Sequence, residues 1–222
     1  MRFKDRIAAG QFLAQELAAY ANRPDTLVLG LPRGGVPVAF EIAKALNAPL
    51  DVFVVRKLGV PEQRELAMGA IASGGVQVLN EDIVQSFCIS EADINQVAAL
   101  EKQELERRER LYRGDRPYLV LHQRIVILVD DGLATGATMR AAVMALQKYE
   151  PAKTIIAVPV AAPENCDEFK SKVDEIICGV TPNPFYSVGL WYENFPQTTD
   201  EEVYDLLEKA ANRQDKVTVG AS

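Results

Sequence analysis

The stretch RIVILVDDGLATGATMRAAV, residues 124–143, predicts a strand, a loop and a helix in direct succession. Its first part is a run of apolar residues, which is typical of a buried strand, and its last part repeats apolar residues at helical spacing. Two adjacent aspartates, Asp130 and Asp131, end the strand, and the loop after them consists almost wholly of Gly, Ala and Thr. A strand-to-helix step of this kind indicates a parallel sheet.

The same step recurs along the chain. Further core strands are predicted at 26–30, 49–57, 154–162 and 173–180, and helices at 5–20, 38–46, 138–149, 166–172 and 200–212. A hairpin is predicted at 65–80 around Gly74 and Gly75, and a charged helix at 90–113. The alternation predicts an α/β fold with helices on both faces of a parallel sheet, which binds ligands at the carboxyl ends of its strands.

Composition narrows the classes of partner and compartment. The chain has 222 residues, 48% of them hydrophobic, and a net charge of −7, so nucleic acid and anionic membranes are not expected partners. No run approaches the length of a membrane span. The three cysteines, Cys88, Cys166 and Cys178, are widely spaced, which favours a reducing, cytoplasmic location over a disulfide framework and gives no zinc pattern.

The loop over residues 135–138 has the composition of an anion site. Its small side chains leave backbone N–H groups accessible, and the helix that follows adds its own unpaired N–H groups and the positive end of its dipole. The hydroxyls of Thr135 and Thr138 add two donors. Neither the GxxxxGK[ST] pattern of nucleotide triphosphate sites nor the GxGxxG pattern of dinucleotide sites is present.

The two aspartates need donors, because adjacent ionised carboxylates repel each other. The vicinal hydroxyls of a ribose are donors at a suitable spacing, so an acidic pair followed by a phosphate cradle fits a ribose 5-phosphate. The alternative is a simple turn with a helix cap, which explains one Asp but not two.

The motif VDDGLATGAT resembles the phosphoribosyl pyrophosphate motif of the type I phosphoribosyltransferases, at Asp130, Asp131, Thr135, Gly136 and Thr138. The order and spacing of elements are similar over roughly 26–180. In that family the loop after the first core strand binds pyrophosphate, and LPRGG (31–35) stands there. The resemblance therefore implies a phosphoribosyl pyrophosphate site formed by Arg33, Gly34, Gly35, Asp130, Asp131, Ala134, Thr135, Gly136, Ala137 and Thr138.

A basic strand end and a lid are also implied by the resemblance. In VVRKLG, Arg56 and Lys57 would face the diphosphate, and we expect this segment to share one sheet edge with LPRGG and DDGLATGAT. Residues 58–75 would form the mobile lid, with Gly59 and Gly69 as hinges. A plain hairpin is the alternative for 58–75, and an ordinary solvated strand end is the alternative for the two cations.

The implied activity is that of a pentosyltransferase of nucleotide salvage. A ring nitrogen of a small nitrogenous acceptor displaces pyrophosphate from the ribose, through a transition state similar to that of glycoside cleavage. Magnesium (Mg2+) would bind mainly through the sugar diphosphate, and no metal ligands are predicted in the chain itself. The residues implied in catalysis are Arg56, Lys57, Asp130 and Asp131.

The acceptor is less well defined than the sugar. Family members that use 6-oxopurines typically carry Asp before the Thr-Gly pair, and Ala134 stands there, which argues against those bases and resembles the adenine and uracil members. The family covers the base with a variable hood, which residues 183–197 would supply. Trp191 and Tyr192 are the predicted stacking residues, and core packing of these aromatics is the alternative.

The expected organisation is an α/β core over 1–180 with a helical insertion at about 81–117, a hood segment with a helix over 181–213, and a flexible tail over 214–222. A homodimer is left open. Three other functions stay in view: a regulator that senses phosphoribosyl pyrophosphate without turnover, a flavodoxin-type receiver domain, and hydrolysis of the sugar diphosphate. The anion loop after the acidic pair argues against the receiver.

Overall fold

A computed structural model describes residues 1–114 and 116–219, without the side chains of 64–65 and 215–219. The strands are β1 Thr26–Gly30, β2 Leu50–Val52, β3 Val55–Val60, β4 Gln63–Ala72, β5 Val76–Leu79, β6 Ile125–Val129, β7 Lys153–Val160 and β8 Glu175–Val180. The α-helices are α1 Arg6–Glu16, α2 Gly35–Leu46, α3 Glu81–Ser86, α4 Glu91–Arg113, α5 Ala137–Gln147, α6 Pro163–Phe169 and α7 Asp200–Val219. The described chain forms two compact units.

The first unit comprises residues 1–52, 119–135 and 151–222 and holds a parallel sheet. Its strand order is β2-β1-β6-β7-β8, so β6 is the central strand. Every residue of β1 and β6 is buried, and seven of the eight residues of β7 are buried, as expected for a parallel sheet flanked by helices. The predicted α/β fold is confirmed, and β6 is the strand that was predicted from residues 124–130.

The second unit comprises residues 53–118 and 136–150 and holds an antiparallel sheet of order β3-β4-β5. The hairpin predicted at 65–80 is present as β4 and β5, joined through Gly74 and Gly75, both at positive φ. Helix α4 begins after Ser90, whose hydroxyl accepts from the N–H of Asp93 at 3.1 Å. Helices α4 and α5 both pack on β3 and β4 in this unit.

The strand predicted at 49–57 is wrong in its continuity. Strand β2 ends at Val52 in the parallel sheet, and the chain begins a separate strand, β3, at Val55 in the antiparallel sheet. At the break, the N–H of Val54 donates to Ser73 Oγ at 3.0 Å, and the N–H of Ser73 donates to the carbonyl of Val54 at 2.8 Å. The apolar run across the break carries no turn residue, so the sequence pattern could not show it.

The two longest helices carry many charged residues. Helix α4 has 23 residues and α7 has 20, and within the described residues no helix is both long and apolar enough to cross a membrane. Helix α7 begins at Asp200 as predicted but continues beyond the expected end at 212 into the segment that was predicted as a tail. The last part of that tail, residues 220–222, lies outside the described residues.

A disulfide joins Cys166 of α6 to Cys178 of β8, and Cys88 is a free, exposed cysteine. The expectation that the cysteines form no disulfide was therefore wrong. The two bonded residues are 12 positions apart and follow no CxxC pattern. Their pairing depends on where α6 returns along β8, which residue spacing alone does not show.

Candidate functional site

The acidic pair stands immediately after the central strand of the parallel sheet. Asp130 and Asp131 are both partly buried, and the N–H of Asp131 donates to Asp130 Oδ1 at 2.8 Å. The position follows from the fold, because the neighbours of β6 are β1 and β7 and its carboxyl end opens on the edge where ligands of parallel sheets bind.

Arg6 binds the second aspartate. Its Nε and Nη2 both donate to Asp131 Oδ2, at 2.9 Å and 2.7 Å, and its Nη1 donates to the carbonyl of Pro196 at 2.7 Å. The guanidinium carbon also lies 3.9 Å from the ring centroid of Phe195. The Arg6 side chain is only 10% exposed, so this ion pair is screened less than a surface pair would be.

Burial and mutual repulsion set the charge of the pair. Burial raises the pKa of Asp130 well above its ordinary value, and the adjacent Asp131 carboxylate raises it further. Burial also raises the pKa of Asp131, while the Arg6 guanidinium acts in the opposite direction. Donors that approach these oxygens, such as sugar hydroxyls, would favour the ionised forms.

Tyr192 supports the same turn from the C-terminal segment. Its hydroxyl donates to the carbonyl of Asp131 at 2.7 Å, and its side chain is 2% exposed. Its ring stacks on Phe195 with centroids 4.7 Å apart and lies 5.9 Å from the ring of Phe3. Burial raises the pKa of this phenol, so the group stays a neutral donor.

The loop after β1 passes directly against the acidic pair. A Cβ at Gly34 would lie 2.6 Å from Asp131 Cγ, and one at Gly35 would lie 2.5 Å from the carbonyl oxygen of Val129. The sequence-based expectation that LPRGG and DDGLA come together is thus met in the structure. The Pro32–Arg33 peptide bond is cis, and Arg33 Nη1 lies 3.6 Å from Asp200 Oδ1 of α7.

The loop after the acidic pair, residues 132–138, has few large side chains and is called here the emptied loop. Its first half is hydrogen-bonded to β7 and α6. The N–H of Leu133 donates to the carbonyl of Val160 at 2.9 Å, and the side chain of Asn165 donates to the carbonyl of Ala134 at 2.6 Å. Ala134 and Thr135 themselves are exposed. Hydrogen bonds therefore fix this part of the loop, while Ala134 and Thr135 stay exposed to solvent. Such a backbone is suited to binding a ligand.

The second half of the motif belongs to the second unit. Gly136, at φ +70°, is the N-cap of α5, and Ala137 and Thr138 form the first turn. Thr138 lines a cavity of about 550 Å³. The other residues of the cavity wall come from β3, the turn after it, α4 and α5: Val55, Arg56, Lys57, Gly59, Pro61, Asp93, Gln96, Val97, Leu100, Glu101, Ala137 and Ala141.

The two predicted cations lie inside β3, not at the end of a parallel strand. Arg56 is opposite Ile71 and Lys57 is opposite Ala70 of β4, so the prediction that RKLG ends a strand of the parallel sheet was wrong. The cause is the strand break at residues 53–54. Arg56 is fixed by Glu101 of α4, whose Oε2 lies 2.7 Å from both Nε and Nη2.

The C-terminal aromatics divide into buried and accessible groups. Tyr192 has both ring neighbours described above, which favours packing over base stacking at this position. Trp191 is half-buried at the edge of the cluster formed by Phe3, Ala9, Val160 and Tyr192. Tyr186 is 78% exposed.

Residues that the sequence did not single out hold the predicted site residues in place. In the first unit these are Arg6, Asn165 and Tyr192 as a hydrogen-bond donor, and in the second unit Glu101 binds Arg56. None of them stands in a local motif, and each reaches the site through tertiary contacts. Arg6 is the first residue of α1, and Asn165 lies in the first turn of α6. No local pattern could have identified them.

Comparison with known proteins decides the family. The family described as phosphoribosyl transferase domain matches residues 3–183. The chain belongs to this family. A Mycobacterium tuberculosis protein named, provisionally, as a phosphoribosyl transferase is 48% identical over 208 residues. The match covers 94% of this chain and 47% of the relative, so the chain spans about half the length of the curated relatives it matches.

Two solved structures support the family fold. TT1426 from Thermus thermophilus is 40% identical, with a TM-score of 0.87 over 94% of this chain and 99% of that one. AQ2163 from Aquifex aeolicus is 16% identical, with a TM-score of 0.51 over 91% of this chain and 84% of that one, and it supports the fold alone. The type I phosphoribosyltransferase fold predicted from the motif is confirmed.

The acidic pair does not build a metal site by itself. Among the described residues, no group of three or more His, Cys, Asp or Glu side chains could hold a metal ion. One oxygen of Asp131 is already bound by Arg6.

A methyl group at either glycine of the loop after β1 should destabilise the protein, by a different route in each case. Gly35→Ala places Cβ against backbone atoms that cannot swing aside, so we expect it to lower the free energy of unfolding by about 1–3 kcal/mol. Gly34→Ala places Cβ in direct overlap with Asp131 Oδ2, the oxygen that Arg6 binds, so the carboxylate must turn and the ion pair breaks. We expect a comparable loss by this second route. Urea unfolding of both variants measures the losses, and unchanged stability in either variant would contradict the described packing.

Proposed function

We propose that the protein transfers ribose 5-phosphate from phosphoribosyl pyrophosphate to a nitrogenous base and releases pyrophosphate. The observation that carries the proposal is the partly buried pair Asp130 and Asp131 at the end of the central strand, followed without interruption by the emptied loop 132–138. The family supports a phosphoribosyltransferase in general terms. The donor, the metal, turnover and the cytoplasmic setting are parts of the proposal.

The acidic pair has the acceptor atoms for a ribose diol. Within the described chain, Asp130 Oδ1 accepts from a backbone N–H and Asp131 Oδ2 accepts from Arg6, which leaves Asp130 Oδ2 and Asp131 Oδ1 for a ligand. A charge-assisted hydrogen bond of this kind is about twice as strong as a neutral one. One hydroxyl on each carboxylate would fix the sugar ring.

The loop that follows would take the 5-phosphate. Thr135, Gly136, Ala137 and Thr138 lead into α5, an 11-residue helix whose positive dipole end lies at this point of the chain. The exposed side chains of Thr135 and Thr138 add hydroxyls at the same point of the chain. Backbone donors and the helix dipole together favour a dianion.

Under this proposal, the diphosphate would bind cations from the loop after β1 and from strand β3. Arg33, Gly34 and Gly35 supply a guanidinium fork and a close backbone approach beside the acidic pair, and Arg56 and Lys57 supply two further charges. Magnesium, when bound through the diphosphate, would neutralise charge on the leaving group. The residues of this chain would bind and orient the sugar and stabilise the leaving diphosphate. The reaction itself would need no protein nucleophile.

Two segments would complete the enzyme. Residues 58–75, most of which form the β3–β4 hairpin, would act as the lid, with Gly59 and Gly69 as its hinges. Residues 181–213 would act as the hood over the base, attached to the core of residues 1–180. Ala134, which replaces the Asp of 6-oxopurine members, supports an acceptor of another class.

Pyrophosphate release tests this function directly. The protein is incubated with phosphoribosyl pyrophosphate and magnesium, with a panel of nucleobases or with none, and pyrophosphate is measured. We expect release that depends on one class of base, with adenine and uracil ahead of hypoxanthine and guanine. Release without any base would indicate hydrolysis, and binding without release would indicate a sensor.

Asp131→Asn separates sugar binding from folding. Asparagine can still accept from Arg6, but the nearly buried Arg6 charge then lacks its counter-charge, so we expect a lower unfolding temperature in a chain that still folds. The lost charge also weakens the bond to a ribose hydroxyl by about 1.5–3 kcal/mol, or roughly 10- to 100-fold in affinity. Calorimetric titration with phosphoribosyl pyrophosphate and magnesium measures the effect. Asp25→Asn, which removes an exposed carboxylate before β1, is the matched control. Unchanged affinity in Asp131→Asn would rule out the diol role.

Trp191 reports on the hood. This residue is the only tryptophan in the chain, and its half-buried position lets a bound base change its surroundings. We expect its fluorescence to change when the acceptor identified by pyrophosphate release is added to the protein. No change on binding of that acceptor would assign Trp191 to core packing.

A further inference from the structure

Arg6 is the first residue of α1, and it stands far in sequence from every motif of the site. It nevertheless donates two hydrogen bonds to Oδ2 of Asp131, at 2.7 Å and 2.9 Å. Its side chain is 10% exposed and that of Asp131 is 17% exposed. A nearly buried charge in this place needs an explanation, because burying an arginine is costly unless its charge is compensated.

The contacts of Arg6 hold its guanidinium in one orientation. Nη1 donates to the carbonyl of Pro196, and the Phe195 ring covers one face of the group at 3.9 Å. Nε and Nη2 then both point at Oδ2 of Asp131. Because both donors use the same oxygen, they fix the carboxylate rotamer and leave Oδ1 without a bond from Arg6.

Arg6 also places a positive charge beside the two adjacent carboxylates, Asp130 and Asp131. The groups that face Asp131 are the Asp130 carboxylate beside it, the neutral Tyr192 hydroxyl on its carbonyl, and the Arg6 guanidinium. Burial raises the pKa of both acids, and the charge of Arg6 opposes that rise at both. Without Arg6, the pair would take up a proton at a higher pH.

We propose that Arg6 is a positioning residue for the ribose site: it holds Asp131 ionised and turned so that Oδ1 receives a sugar hydroxyl. This inference rests on the proposed function, since it assigns the role of Arg6 in binding phosphoribosyl pyrophosphate. Arg6 itself would not contact the sugar. Its role would be exerted through Asp131.

The competing explanation is that Arg6 only holds the N-terminal segment against the C-terminal aromatic segment. Arg2 provides a control for that explanation. Arg2 also links the N-terminal segment to the C-terminal aromatic segment, because its Nη2 donates to the carbonyl of Tyr192 at 2.9 Å. Arg2 makes no contact with either aspartate. Arg2→Met therefore removes another link between the same two segments and leaves the carboxylates untouched.

Calorimetric titration with phosphoribosyl pyrophosphate and magnesium tests the inference at constant pH. We expect Arg6→Met to weaken binding roughly 10- to 100-fold, Arg6→Lys to weaken it less because one charged donor remains, and Arg2→Met to stay within about twofold of the original protein. Thermal unfolding of each variant is measured alongside. If Arg6→Met fails to fold, Arg6→Lys carries the comparison.

The pH profile distinguishes positioning from structure. As pH falls, the Asp131 carboxylate is lost when pH passes through its pKa, and that pKa is higher without Arg6. Affinity in Arg6→Lys or Arg6→Met should therefore begin to fall at a higher pH than in the original protein. Ionisation of the ligand is the same in all titrations and cancels in the comparison.

A double variant completes the test. If Arg6 acts through Asp131, then adding Arg6→Met to Asp131→Asn should cause little further loss of affinity. Equal losses in both backgrounds, or an unshifted pH profile, would overturn the inference while leaving the proposed function intact. Failure of the original protein to bind phosphoribosyl pyrophosphate would instead overturn the proposed function, and the role of Arg6 with it.

Discussion

The repulsion between two adjacent, partly buried carboxylates is the constraint around which the first unit is organised. Asp130 and Asp131 stand where β6 ends, and burial alone would favour their protonated forms. The structure compensates with a backbone N–H on Asp130 and the guanidinium of Arg6 on Asp131. Side chains at Gly34 and Gly35 would occupy the space that these atoms need.

Residues from the N-terminal segment and from the segment around 192–196 contact the acidic pair or the residues that hold it. Phe3 and Tyr192 form a bridge, Arg6 spans from α1 to Pro196, and the hydroxyl of Tyr192 reaches the carbonyl of Asp131. The N-terminal and C-terminal segments are thus part of the support of the acidic pair. Under the proposed function, the C-terminal segment that would cover the base would also help to set the geometry of the sugar site.

Local patterns predicted much of the fold, because parallel strands and amphipathic helices have distinct periodicities. Strand β6, helix α5 and the hairpin around Gly74 and Gly75 all follow from the sequence. The proximity of LPRGG to the acidic pair also followed, since loops after neighbouring parallel strands share one edge. These are features in which local chemistry and tertiary structure agree.

The features that the sequence did not predict depend on long-range contacts. The strand break at residues 53–54 is set by Ser73, about twenty residues away along the chain, and it moved Arg56 and Lys57 into another sheet. The Cys166–Cys178 disulfide depends on how α6 returns along β8. Arg6 and Asn165 carry no local signal, because their partners are distant in sequence.

A crystal structure of the protein with phosphoribosyl pyrophosphate and magnesium would test the central assignment most directly. The ribose hydroxyls should lie within hydrogen-bond distance of Asp130 and Asp131, with Arg6 still bound to Asp131 Oδ2 and the 5-phosphate on the backbone of residues 135–138. A sugar bound elsewhere, or one whose hydroxyls face away from both carboxylates, would contradict the ribose site.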